Sequence, residues 1–88
     1  MIITKIYPAS HFTKAYRDLP EPIKIQAKQK EEIFLNNPFD RRINTHKLKG
    51  ELKGYWVYSV NYQYRILFRF SGAGEVIYYD IGTHEIYR

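Results

Sequence analysis

The spacing of apolar residues changes halfway along the chain, from a helical period to a strand period, and that change predicts two structural halves. Residues 2–7, IITKIY, are mostly β-branched and predict a strand ending at Pro8. Phe12, Ala15, Tyr16 and Leu19 follow at i, i+3, i+4 and i+7, so they share one face of a helix that Ser10 can cap and Pro20 stops. A second helix is predicted from Glu21 to Asn37. Pro22 suits its first turn, Ile23, Ala27, Ile33 and Phe34 form its apolar stripe, and Asn36, Asn37 and Pro38 end it. The short link between them predicts an antiparallel helix hairpin.

Beyond residue 54 the period shortens to two. Aromatic and β-branched residues dominate YWVYSV at 55–60, YRILFRF at 64–70 and EVIYYDI at 75–81, as half-buried antiparallel strands require. Residues 61–63 and SGAG at 71–74 are short enough for hairpin connections. The expected fold class is α+β: an antiparallel sheet of about four strands, N-terminal strand included, with the helix hairpin packed on one face. Strand parity directs Ile66, Phe68 and Phe70 to the core and Arg65, Leu67 and Arg69 to the other face. In the last strand it selects Ile77, Tyr79 and Ile81 for the core, leaving Tyr78, Asp80 and, past Gly82, His84 on the side of Arg65.

Composition narrows the function classes. The 88 residues predict one domain with a single modest core. No apolar run approaches the roughly 20 residues that span a bilayer, and the N-terminal residues lack a secretion signal, so a cytoplasmic domain without a membrane role is expected. The chain has no cysteine and three well-separated histidines, which removes thiolate chemistry and predicts neither a metal site nor a cofactor. The net charge is +5, and Arg41, Arg42, Lys47, Lys49 and Lys53 crowd the stretch from Asp40 to Lys53. With nine tyrosines in the chain, this composition suits phosphate contact and base stacking. His46 and His84 are proton carriers near neutral pH. Spacing alone also permits His46 to be a solvated surface residue, Arg65 and Arg69 to pair with Glu75 or Asp80, and Trp56 to be structural.

The succession of strand, helix hairpin, HKLKG at 46–50, GYW at 54–56, YRILF at 64–68 and GTH at 82–84 resembles the RelE/ParE superfamily of bacterial toxins, and within it the YafQ and YoeB type of mRNA interferase. The resemblance spans essentially the whole chain. It implies a metal-independent endoribonuclease that cuts mRNA, usually on the 70S ribosome, and is restrained by a cognate antitoxin protein. His46 falls where YafQ-like proteins carry a catalytic histidine and YoeB-like ones a glutamate. Arg65 matches the arginine of the YR pair, His84 the histidine of GTH, and Tyr87 the closing aromatic. Lys47, Lys49, Arg69 and Tyr64 become substrate-binding candidates. Ser59 and Gln63 replace further acid–base residues of the YafQ type. That departure keeps open a catalytically silent module that binds RNA or antitoxin, and the shared fold keeps open a ParE-like DNA gyrase inhibitor, against which the histidines of HKLKG and GTH count.

Overall fold

A computed structural model describes residues 1–87. Its elements are β1 (Lys5–Pro8), α1 (Ser10–Arg17), α2 (Glu21–Asn36), β2 (His46–Lys47), β3 (Trp56–Ser59), β4 (Arg65–Gly72) and β5 (Glu75–Gly82), with short 3-10 turns at Arg41–Ile43, Gly50–Leu52 and His84–Tyr87. The five strands form one sheet in the order β1-β5-β4-β3-β2. The α+β class stands, but the sheet differs from expectation in two ways. β1 runs parallel to β5, with Lys5 opposite Glu75 and Pro8 opposite Tyr78. The fifth strand, β2, pairs His46 with Val57 and Lys47 with Trp56. Two residues are too few to print a period-two pattern, so only the pairing with β3 defines it.

Neither helix begins on a side-chain cap. Ser10 is already helical, and the N-cap is the extended Ala9, whose N–H donates to the carbonyl of Tyr78 at 2.9 Å. The sheet therefore fixes where α1 begins. Pro22 lies in the first turn of α2, where its missing N–H costs no helical bond. α1 leans on α2 through Tyr16, whose hydroxyl donates to the carbonyl of Lys24 while the ammonium groups of Lys24 and Lys28 lie 5.9 and 5.5 Å from its ring centre.

Phe12, Ala27 and Phe34 of the helices meet Tyr58, Ile66, Phe68, Val76, Tyr78 and Ile81 of the sheet. Phe34 is fully buried at the centre, its ring 4.5 Å from Tyr58, 5.0 Å from Phe68 and 6.1 Å from Tyr78. The hydroxyls of Tyr58 and Tyr78 lie 2.7 Å apart, each giving the other a partner. Burial pushes both phenols well above the ordinary range, so the pair stays neutral.

A β-bulge corrects the predicted parity of β5. Leu67 lies opposite Asp80 and Phe68 opposite Tyr78, so Tyr79 is an extra residue in β5. Val76 and Tyr78 face the helices before the bulge and Ile81 does after it, in place of Ile77 and Tyr79. Asp80 does not join Arg65 either. Its carboxylate lies 3.2 Å from His11 Nε2 on α1. Tyr79 packs edge-on against Tyr55 at 5.2 Å.

Candidate active site

Register alone gathers the site. Arg65, the first residue of β4, lies opposite Ser59 of β3 on one side and Gly82 of β5 on the other. Gly82 leads into Thr83 and the turn His84–Tyr87, while His46 comes from β2 at the end of the sheet beyond β3. An open cleft of about 630 Å³ results, lined by His46, Arg65, His84 and Tyr87 together with Tyr62, Gln63 and Thr83. All four residues expected to be catalytic share this one cleft.

The segment before His46 is pinned from several sides. Asp40 accepts the backbone N–H of Arg42 and a two-pronged contact from its guanidinium, at 3.0 and 2.9 Å. Those hydrogen bonds, side chain first and backbone second, hold the Asp40 carboxyl at about 2. Ile43 is fully buried, Thr45 Oγ1 donates to the carbonyl of Pro38, and Phe39 packs against Trp56 and Phe70. Asn44 adopts the left-handed region at φ 50°, which asparagine tolerates, and its carbonyl lies 3.0 Å from His46 Nδ1. A carbonyl only accepts, so Nδ1 carries the hydrogen, and in the neutral ring the lone pair is on Nε2.

The opposite rim is built by Asn61. Its Oδ1 accepts the N–H groups of Gln63 and Tyr64, both at 2.8 Å, an Asx turn that shapes the link from β3 to β4. Its Nδ2 donates to Gln26 of α2 at 2.7 Å, and Lys30 of α2 donates to the carbonyl of Val60 at 3.0 Å. At the far wall a Cβ added to Gly82 would meet Ile86 Cγ2 at 2.8 Å. Glycine there lets the last turn pack close to the sheet and carry His84 and Tyr87 to the cleft. The Tyr87 hydroxyl is buried without a hydrogen-bond partner among the described residues. Burial raises its pKa, and the charge of Arg65 opposes that rise.

The substrate-binding candidates lie elsewhere. Lys47 and Lys49 line a second groove of about 440 Å³ with Lys53, Gly54 and Trp56. Trp56 packs edge-on against Phe39 and Phe70, and Lys47 Nζ lies 5.9 Å from its ring centre. Arg69 stands 5.2 Å from the ring centre of Tyr55 on the face away from the helices. Tyr64 packs half-buried against the core and does not line the cleft. Sequence reasoning overlooked Tyr62, which lines the cleft and is 96% exposed. The available signal was a tyrosine at a polar turn, where no strand needs one. Among the described residues, no three His, Asp or Glu side chains cluster as a metal site, and no helix is long and apolar enough to cross a membrane.

The ParE-like toxin domain family matches residues 21–88. Among solved structures, the chain is similar to a YoeB/ParE toxin from Agrobacterium tumefaciens, with TM-score 0.78 and 19% identity over 92% of this chain and 99% of that one. It is also similar to a YafQ variant from E. coli, with TM-score 0.76 and 19% identity over 93% and 94% of the two chains. A RelB–RelE antitoxin–toxin complex from Methanococcus jannaschii gives TM-score 0.71 and 22% identity over 92% and 94%. No curated protein matches the sequence. The likeness to these solved toxins shows a shared fold, and the family match over most of the chain places the protein in the ParE-like toxin domain family.

Proposed function

We propose that this toxin is a metal-independent endoribonuclease that cleaves mRNA in the ribosome. The observation that carries this reading is the convergence of His46, Arg65, His84 and Tyr87 on one open cleft in a basic protein. Cleaving RNA by its own 2′-OH needs a base, a cation at the phosphate and an acid for the departing oxygen. His46 Nε2 takes the 2′-OH proton, the 2′-oxygen attacks phosphorus, and the P–O5′ bond breaks as His84, protonated beforehand, gives its proton to the 5′-oxygen. The products are a 2′,3′-cyclic phosphate and a 5′-hydroxyl end. Arg65 holds the phosphate through the crowded intermediate, and its guanidinium can engage two oxygens at once. The Tyr87 ring walls the nucleotide, and Lys47 and Lys49 neutralise phosphates along the adjoining groove. The complementary partner is an antitoxin, as in the Methanococcus jannaschii complex.

The test is primer extension on a defined mRNA in programmed ribosomes, with naked RNA and EDTA lanes, comparing wild type with the His46→Ala/His84→Ala double variant. Ribosome-dependent cuts that survive EDTA and vanish in the double variant are expected. Absence of cutting in every lane, coupled with inhibition of gyrase supercoiling, would overturn the nuclease reading in favour of a ParE-like inhibitor.

A further inference from the structure

We infer that Tyr62 is a substrate-binding residue whose ring stacks on an RNA base next to the scissile phosphate. This deepens the nuclease reading and rests on it. Tyr62 is the most exposed of the large apolar residues exposed in the fold, at 96% against 69% for Met1 and 65% for Ile2. A ring left in water at a turn adds nothing to the core, yet this one lines the cleft that holds His46, Arg65 and His84.

Its backbone is held while its side chain is free. The Asn61 carboxamide accepts the N–H groups on the far side of Tyr62, from Gln63 and Tyr64, and the N–H of Val60 donates to the carbonyl of Tyr64 at 2.9 Å, closing the turn. The bonds from Asn61 to Gln26 and from Lys30 to Val60 tie the turn to α2. A preorganised platform loses little further freedom on binding, and a tyrosine has few rotors to fix. Single-stranded RNA is recognised by splaying a base onto an aromatic face, with cations nearby for the phosphates. Arg65 supplies such a cation in the same cleft. Every base has a π-face, so stacking here raises affinity and positions the strand without imposing a sequence.

Binding is measured with an mRNA carrying 2′-deoxyribose at the cut site, which removes the nucleophile, and cleavage with the all-ribose form, both in programmed ribosomes. Tyr62→Ala is expected to weaken binding by roughly 5- to 150-fold, the range for losing one stacked base. Tyr62→Phe should stay within about twofold of wild type, because stacking uses the ring and not the hydroxyl. Replacing flanking nucleotides one at a time by abasic residues should reveal one position at which Tyr62→Ala no longer matters. If wild type cuts but Tyr62→Ala binds and cuts equally well, or Tyr62→Phe is as weak as Tyr62→Ala, stacking is wrong and the nuclease reading survives. If wild type neither binds nor cuts, the nuclease reading falls and takes this inference with it.

Discussion

The helix-covered face of the sheet and the cleft at the sheet's end use the same residue types for opposite ends. Under the helices, Tyr58 and Tyr78 are buried with their hydroxyls paired, and Phe34 touches three rings. At the cleft, Tyr62 stands in solvent and the Tyr87 hydroxyl lacks a partner among the described residues. The core closes its own interactions, whereas the cleft leaves a ring in solvent and a hydroxyl unsatisfied among the described residues. Stability and activity should therefore respond to different substitutions, and crossing the two readouts tests that separation.

The largest effect is expected at the cleft. His46→Ala/His84→Ala should lower single-turnover cleavage by at least about 10³-fold, since each proton transfer is worth 10²–10⁴-fold. The same variant should shift unfolding free energy by no more than about 0.5 kcal/mol in urea titration, as for surface changes generally. A large stability loss would show that the cleft also holds the fold together.

Phe34→Ala should do the reverse. Removing a fully buried ring costs about 3–5 kcal/mol, a large part of a small domain's stability. Denaturant midpoints would show this directly. The fraction that remains folded should still cut RNA, and loss of cleavage per folded molecule would contradict the separation.

A subtler probe is Tyr78→Phe, which leaves the Tyr58 hydroxyl buried without its neighbour. The expected cost is about 1–3 kcal/mol, and the double change with Tyr58→Phe should cost less than the two single changes together. Additive losses in a thermal-melt cycle would mean that the hydroxyls do not depend on each other.

The smallest effect concerns Asp40 beneath the His46 segment. Its folded pKa of about 2 lies below the ordinary 3.8, so its stabilising contribution is present above pH 3.8 and fades as pH falls toward 2. Carboxyl NMR titration should find the low midpoint in wild type and a return toward 3.8 in Arg42→Ala. An unchanged midpoint would remove Arg42 as the cause.

Strand pairing, which local periodicity does not record, explains where sequence reasoning succeeded and failed. The helices and the β3–β5 meander are written in local periodicity, and Phe12, Ala27, Phe34, Ile66 and Phe68 could be placed in the core from it. The parallel pairing of β1 depends on a partner far along the chain, while the two-residue β2 and the Tyr79 bulge are defined only by which residues of the neighbouring strand they oppose. The bulge exchanged Tyr78 and Tyr79 because one extra residue reverses every later side chain. His46, Arg65, His84 and Tyr87 were legible through motifs that resemble a known family, and their meeting in one cleft follows from register. Tyr62 belongs to no period and no such motif. Tyr64 looked like a ligand contact because burial of an aromatic beside an arginine leaves no mark in sequence.

The pairing of the first strand with the last also bears on synthesis. Thr4 meets its hydrogen-bond partner Gly74 across 70 residues, and β1 completes its ladder only along β5. A ribosome making this protein releases β1 and α1 long before their partner strand exists, and such distant contacts close late. Thr83 and His84 follow β5 directly. Closing the sheet and placing the cleft residues Thr83 and His84 thus depend on the same late-made segment, so a chain stopped before β5 has neither.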